Sequence, residues 1–111
     1  MINGLLLTWL NSNKWKVHFE VINKSCNINY NEELFKSNGI YICRLSKVDT
    51  SDVIGFPKGK YGYGLLLCIV CDYIHTSIQM YVSHKNEILI RSMGATDWVD
   101  VANNVRVEPI S

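Results

Sequence analysis

Hydrophobic and polar residues along segment 61–93 follow a pattern that predicts three successive antiparallel strands. The first is Leu65–Cys71, in which apolar residues follow one another without a break between turn residues. This run is too short for a buried helix and predicts the central strand of a sheet. In the next two strands apolar and polar residues alternate, which places the apolar side chains of each strand on one face. Those side chains are Ile78, Met80 and Val82 in the second strand and Ile88 and Ile90 in the third.

The turn 84–86 fixes how the second and third strands pair. If these residues form the loop, Ser83 lies opposite Glu87, and the apolar side chains of both strands share one face. A slip of one residue would move one set to the other face, so the pattern selects this register. The opposite face brings Gln79 next to Arg91, which we interpret as a structural cross-strand pair. The predicted partners are Val82 with Ile88, Tyr81 with Leu89, Met80 with Ile90, Gln79 with Arg91, and Ile78 with Ser92.

The chain on either side of this centre also predicts strands. Leu5–Leu10 and Trp15–Ile22 predict a hairpin joined by a turn. In its second strand apolar and polar residues alternate, which is typical of a half-buried antiparallel strand. The polar face of that strand carries His18, which we interpret as a solvated surface residue. Later strands are predicted at Gly39–Leu45, Trp98–Ala102 and Val105–Glu108.

One short helix is predicted over Asn29–Gly39. Asn29 or Asn31 can cap it, the glutamates that follow suit its first turn, and Gly39 can end it. The loop 46–60 is polar and long for a compact domain, and long loops often carry function. A surface excursion without a ligand is an equally weighted alternative for this loop.

These elements predict a mainly β fold, a small antiparallel sheet or sandwich-like domain with one short helix. A chain of 111 residues suits one compact unit. We divide it into residues 1–25, an N-terminal β-hairpin that is a candidate attachment or oligomerisation element, and residues 26–111, the β domain itself.

The composition of the chain indicates which classes of binding partner are expected. The formal net charge is +1, from 11 basic and 10 acidic residues, so bulk electrostatics favours neither nucleic acid nor an anionic membrane. The longest apolar run is far shorter than the ~20 residues of a membrane-spanning helix, so we expect no membrane insertion. Charged residues make up 19% of the chain, and the many Asn, Ser, Tyr and Trp residues suit contact with sugars or proteins.

The cysteines do not predict a disulfide framework or a metal site. Cys68 and Cys71 match a C-x-x-C motif, but residues three apart on a strand point to opposite faces and lie ~10 Å apart. A disulfide needs Cα atoms within ~7 Å. We interpret Cys43 as a small core residue and Cys26 as a loop thiol that could be exposed. The chain therefore suits a reducing compartment.

We find no catalytic constellation in the sequence. The histidines His18, His75 and His84 are scattered and lack metal-ligand spacing. Two pairs of carboxylates could in principle act together in a glycosidase, but turn and cap roles are favoured for both. The pairs are Asp49 with Asp52 and Asp97 with Asp100. We therefore predict that the chain is not an enzyme and needs no cofactor or metal.

Several short motifs follow one another in order over about residues 29–102. They are Gly39-Ile40-Tyr41, Gly62-Tyr63-Gly64-Leu65-Leu66, Gln79-Met80-Tyr81, Ile90-Arg91-Ser92 and Trp98. In this order they resemble the pyocin-knob domain of phage tail fibres and tail-like bacteriocin fibres. That family usually carries a second Trp in the last strand, where this chain has Val101.

The resemblance implies a small β-rich module, usually a homotrimer, near the outer end of a virion fibre. We therefore expect a phage virion protein that is assembled in the bacterial host cytoplasm together with other virion proteins. It would contribute to receptor binding and host attachment through a surface glycan or protein. The alternative is a capsid or tail decoration or head-fibre protein that binds another virion protein and no ligand.

Aromatic rings stack on the apolar faces of sugars, while polar side chains bond the hydroxyls. From this chemistry and from the loop 46–60 we predict a carbohydrate-binding or protein-binding site. Its candidate residues are Tyr61, Tyr63, Tyr73, Asp49 and Asp52.

Overall fold

The computed structural model describes residues 16–29, 33–71, 76–92 and 95–111, and their regular structure is almost entirely β. The prediction of a mainly β fold is confirmed. The strands are β1 (Lys16–Ile22), β2 (Cys26–Asn27), β3 (Gly39–Ser46), β4 (Val53–Ile54), β5 (Tyr63–Cys71), β6 (Thr76–Ser83), β7 (Ile88–Ser92), β8 (Trp98–Asp100) and β9 (Val105–Val107).

A seven-stranded sheet in the order β1-β3-β5-β6-β7-β8-β9 forms the body of the molecule. The apolar run predicted as the central strand is β5, which pairs antiparallel with β3 and β6. The sheet is mixed and not wholly antiparallel as predicted, because β1 pairs with β3 in parallel. Parallel neighbours need a connection of a dozen or more residues. The chain between Ile22 and Gly39 provides this crossover.

The predicted register of β6 and β7 is confirmed at every pair. Tyr81 lies opposite Leu89, and Gln79 lies opposite Arg91. The Ser83 amide donates a hydrogen bond of 3.0 Å to the Glu87 carbonyl, which closes the turn. Asn86 has a φ of +62°, a left-handed conformation that asparagine adopts more readily than most residues.

The helix predicted over Asn29–Gly39 is a single 3₁₀ turn at Glu33–Phe35, and residues 30–32 lie outside the described part of the chain. The Phe35 side chain is buried and meets the Tyr41 ring edge-on, at 5.1 Å between ring centroids. A helix of three residues makes few intrahelical hydrogen bonds. The tertiary packing of Phe35 therefore decides the local conformation.

The core lies between one face of the large sheet, here called the inner face, and a cover. The cover consists of the two-stranded parallel sheet β2–β4, the 3₁₀ turn and the segment after β4. The loop 46–60 therefore differs from the predicted polar excursion, because it inserts Val53, Phe56 and Pro57 into the core. Phe56 meets Tyr81 of β6 edge-on at 5.0 Å. The molecule is thus two-layered, in line with the sandwich-like prediction.

The interpretation of His18 as a solvated surface residue is wrong. Because β1 pairs with β3 in the register that places His18 beside Tyr41, the two rings stack at a centroid distance of 4.3 Å. The His18 Nε2 atom is buried and has no hydrogen-bond partner among the described residues.

The predicted strand Leu5–Leu10 and Trp15 lie outside the described residues, so the hairpin and the division at residue 25 stay predictions.

All four thiols are free. Cys43 is fully buried, which confirms it as a core residue, and Cys68 and Cys71 are buried as well. Cys26 lies in strand β2 and not in a loop, and it is half-buried. Burial raises the pKa of the Cys43 thiol to about 12 and that of the Cys68 thiol to about 11. The two buried thiols therefore stay protonated near neutral pH and are poor nucleophiles.

Candidate functional site

Tyr61 and Tyr63 lie side by side where the chain enters β5. Their ring centroids are 5.4 Å apart and the rings are tilted by 41° to each other. The Lys85 ammonium, from the turn between β6 and β7, lies 4.3 Å from the centre of the Tyr61 ring. We call these three half-exposed or exposed side chains the tyrosine patch. Its cation–π contact was not anticipated from the sequence, because it depends on where the turn 84–86 folds.

The backbone beneath the tyrosine patch is held by side chains from β6 and from the connection between β6 and β7. The Tyr61 amide donates a hydrogen bond of 2.8 Å to Glu87 Oε1, and the Tyr81 hydroxyl donates one of 2.5 Å to the Tyr61 carbonyl. Burial raises the pKa of the Tyr81 phenol, so it stays protonated and able to donate. The backbone of Tyr61 is therefore held in place on both its amide and its carbonyl side.

The loop that follows β3 packs directly against Gly62, between the two tyrosines. The Lys47 amide donates a 3.0 Å hydrogen bond to the Gly62 carbonyl. A Cβ atom at position 62 would lie 1.9 Å from the Lys47 carbonyl oxygen, so the close approach requires glycine. The sequence-predicted loop and tyrosines are thus brought together at one end of the sheet.

The two candidate carboxylates in this loop make bonds within the protein. Asp49 accepts a 3.0 Å hydrogen bond from the Ser51 amide, which lowers the pKa of its carboxyl. Asp52 accepts a 2.6 Å bond from the Ser25 hydroxyl and pairs with Lys47 at 3.1 Å. These bonds lower the pKa of Asp52 too. The geometry gives Asp49 a turn-building role and makes Asp52 a link from the loop to Ser25. Contact of either residue with a ligand stays a prediction, as does that of Tyr73, which lies outside the described residues.

The predicted structural pair Gln79 and Arg91 is confirmed as a hydrogen bond of 2.7 Å from Arg91 Nε to Gln79 Oε1. Both side chains are buried on the inner face. Gln79 Nε2 in turn donates a 2.6 Å bond to the Ile28 carbonyl, which belongs to the cover. The pair therefore fastens the sheet to the cover, a connection across 51 residues of sequence that the strand pattern does not reveal.

The Arg91 guanidinium makes further contacts with its surroundings. It donates to the Thr96 carbonyl at 3.0 Å and to Asn29 Oδ1 at 3.1 Å, and it lies 4.3 Å above the Trp98 ring. Burial lowers the pKa of Arg91 to about 10. The Trp98 indole donates a 2.8 Å bond to the Gly55 carbonyl in the cover. The network is structural, because every contact joins elements of the core.

The second pair of carboxylates considered from the sequence is also bound within the protein. Lys60 pairs with the buried Asp100 at 3.0 Å, and the Asn103 side chain donates to the same carboxyl oxygen at 3.0 Å. Together these bonds lower the pKa of Asp100 to about 2. Asp97 lies 3.8 Å from Arg106. Both residues are engaged in ion pairs at the β8–β9 edge of the sheet.

The other face of the large sheet is here called the outer face. The sequence patterns did not predict that this face would be exposed. Its side chains form rows that the strand registers align across the sheet. The middle row runs Phe19, Ile42, Leu67, Met80, Ile90 and Val99. A flanking row runs Val17, Ile40, Ile69, Ile78 and Ser92. The row on its other side runs Val21, Arg44, Leu65, Val82 and Ile88.

The outer face is apolar and open to solvent in the described chain. Phe19 is 74% exposed, Ile78 48% and Ile90 40%. Among the described residues, the rows across β1 to β7 carry a single charged side chain, Arg44. Large contiguous apolar surfaces are characteristic of interaction sites on soluble proteins. The alternation in β1, β6 and β7 predicted which residues share this face, but we had no signal for which face the cover occupies.

A groove interrupts the outer face near its β8 end. Its volume is about 390 Å³. Most of the side chains that line it are apolar, namely Leu67, Ile78, Met80, Ile90, Ala95 and Val99, and Arg91, Ser92 and Asp97 complete the lining. The groove is open to solvent and its surface is mainly apolar, so it suits an aliphatic or aromatic side chain.

Within the described ranges, no cluster of histidine, cysteine and carboxylate side chains has the makings of a metal site. None of the helical structure in the described part of the chain has the length and apolar character needed to cross a membrane. Comparisons with protein-family models, with curated proteins and with solved structures found no match for this chain.

Proposed function

We propose that this chain is a structural module of a phage virion fibre, which assembles with other protein through its outer face and presents the tyrosine patch to the host surface. The observation that carries the proposal is the outer face, three aligned rows of mainly apolar side chains that are half-buried or exposed in the single chain. Such a surface supports an assembly role, because the cores of protein interfaces are depleted of charged residues. The resemblance to the pyocin-knob domain supports the assignment to a virion and the proposal of a homotrimer.

The tyrosine patch supports the attachment part of the proposal. Two tilted rings beside a lysine offer a surface on which a sugar ring or an apolar side chain can stack, with a cation at its border. Because Glu87 and Tyr81 hold the Tyr61 backbone in place, the patch is formed before a ligand arrives. A role without catalysis fits the candidate carboxylates Asp49, Asp52 and Asp100, each bonded within the protein.

The second candidate function is a capsid or tail decoration or head-fibre protein that binds another virion protein and no host ligand. The outer face by itself supports this alternative, since assembly through it does not need the tyrosine patch. The two candidates differ in whether the patch contacts the host surface, and mutation of the patch therefore separates them.

The virion assignment is tested by mass spectrometry of particles purified from the host that produces this chain. We expect the chain in stoichiometric amounts with the other structural proteins. A chain that lacks residues 1–15, and so keeps β1 in the sheet, should be lost from the particles if the N-terminal segment attaches it. Absence of the full chain from purified particles would refute the virion assignment.

Host attachment is tested with the double variant Tyr61→Ala, Tyr63→Ala in a cell-binding assay. Loss of two tyrosines from a binding site costs about 2 kcal/mol or more, which corresponds to roughly thirtyfold weaker binding. The control is Val48→Ala, a substitution at a residue that is 84% exposed in the neighbouring loop, and it should bind as the wild type does. Equal binding by the double variant would favour the decoration protein.

A further inference from the structure

We infer that the outer face packs against the same face of further copies of this chain, with Phe19 of one copy seated in the groove of the next. This inference rests on the proposed function, for which it names the partner of the assembly surface. It is carried by the positions of Phe19 and of the groove on one face of one molecule.

Phe19 and the groove lie at the same level of the sheet. The strand registers place Phe19 in the middle row, and four members of that row line the groove: Leu67, Met80, Ile90 and Val99. Phe19 stands at the β1 end of the row with 74% of its surface exposed, and the groove lies over β5 to β8. The face thus carries a protruding aromatic side chain at one end and an apolar recess at the other.

Phe19 cannot fill the groove of its own molecule. Neighbouring strands lie ~4.8 Å apart, so the strands β5 to β8 that form the groove are about 10 to 24 Å from β1. A second copy can fill it, however. A two-fold axis that runs along the strands between β5 and β6 places β1 of one copy over β8 of the other at the same level. A rotation that closes a ring makes the same contact head to tail.

The area of the outer face reaches the lower limit for a specific contact. The apolar rows from β1 to β8 span roughly 30 Å by 17 Å, or about 500 Å² on each copy, from the strand spacing and the rise per residue. Two such faces together reach the ~1,000 Å² that a specific interface requires. This chain itself provides both halves of the fit, whereas a different partner would have to provide an unrelated surface that matches both Phe19 and the groove.

The first test measures the molar mass of the full chain by light scattering after size exclusion, for the wild type and for Phe19→Asp. We expect an oligomer for the wild type and a monomer for Phe19→Asp, because a carboxylate in the apolar groove is strongly unfavourable. Circular dichroism checks that the variant is folded. The matched control, Val48→Asp, places the same charge on an exposed valine of the loop after β3 and should leave the oligomer intact.

A second test traps the contact covalently. In the double variant Phe19→Cys, Ala95→Cys, mild oxidation should link separate copies covalently, whereas each single variant should not form this mixed pair. Ala95 is chosen because it lines the groove and is exposed. A link between copies supports the inference, and its absence in an oligomeric double variant overturns it.

Two results would overturn the inference and identify another occupant. A monomeric wild type would mean that residues 1–15 of the same chain or a different virion protein cover the outer face. An oligomer that persists in folded Phe19→Asp would place the contact elsewhere.

The inference and the proposed function can be refuted separately. A monomer that is nevertheless found in particles refutes only the inference, and an oligomer that is absent from particles refutes only the virion assignment. The number of copies, two or three, tests the proposed homotrimer.

Discussion

The two faces of the large sheet differ in a way that reverses the usual relation between polarity and burial. The inner face buries several polar side chains beside its apolar ones, while the outer face exposes almost purely apolar rows. The buried polar side chains are Ser77, Gln79, Ser83, Arg91 and Asp100. The exposed apolar side chains include Val17, Phe19, Leu65, Ile78 and Ile90.

The difference teaches that hydrophobicity alone does not decide which face of a sheet its own chain covers. The inner face tolerates Gln79 and Arg91 because the cover and the adjoining loop supply acceptors, among them the carbonyls of Ile28 and Thr96. A buried polar group that is fully hydrogen-bonded costs little, whereas one without partners costs about 1–3 kcal/mol. The outer face has no such cover among the described residues, and our proposal of an assembly role rests on this difference.

The largest effect is expected for Arg91→Ala on the inner face. The change leaves the acceptors of Gln79, Asn29 and Thr96 without their donor and removes the cation above Trp98. We expect a loss of about 4 kcal/mol in the free energy of unfolding. Urea unfolding followed by circular dichroism measures it.

The control for this change is Arg106→Ala, since the Arg106 side chain is 80% exposed at the sheet edge. It should change stability by about 0.5 kcal/mol or less. Equal losses for the two arginine variants would show that the inner-face network does not stabilise the fold.

The neighbours Leu66 and Leu65 compare the two faces with one residue type. Leu66 is fully buried on the inner face, and Leu65 is 47% exposed on the outer face. We expect Leu66→Ala to cost about 3 kcal/mol, because it leaves a cavity in the core. Leu65→Ala should cost about 1 kcal/mol or less when unfolding is measured at a protein concentration low enough to keep the chain monomeric.

The ordering of the two leucine variants is the critical result. If Leu65→Ala is as destabilising as Leu66→Ala in the monomer, the outer face is covered within the chain, and the comparison of the two faces would have to be abandoned.

The smallest effect concerns Asp100, a carboxylate on the inner face. Its bonds with Asn103 and Lys60 lower its pKa from 3.8 to about 2. Because the folded-state pKa is below the ordinary value, these bonds stabilise the fold above pH 3.8 and lose this contribution as the pH falls toward 2. We therefore expect Asp100→Asn to be less stable than the wild type at neutral pH, with a difference that shrinks over this range. Urea unfolding at several pH values measures it, and a difference independent of pH would contradict the assigned pKa.

Part of the fold could be predicted because its signals are local. The apolar run of β5, the alternation of β6 and β7 and the turn 84–86 together fix the register that places Gln79 beside Arg91. The β9 strand was predicted from its alternation in the same way. The parallel pairing of β1 with β3 was not predicted, because a crossover leaves no pattern within either strand.

The candidate site, like the fold, could be predicted only where its signals are local in the sequence. Tyr61 and Tyr63 were predicted together because they lie two residues apart at a strand start, and they do lie side by side. Lys85 and Glu87 join them only through the folding of β6 against β5. The groove of the outer face is formed by four strands and the segment after β7, so no single stretch of sequence could have indicated it.

The sequence by itself determined where most strands lie and which side chains share a face, because alternation is a property of each strand alone. Only the tertiary structure decided which face is buried. The pairing of β1 with β3 turned His18 toward Tyr41 and Phe19 toward solvent. The segment after β4 placed Phe56 on the inner face beside Tyr81. Burial of a sheet face depends on where distant segments of the chain pack. The alternation of residues within a strand contains no information about those segments.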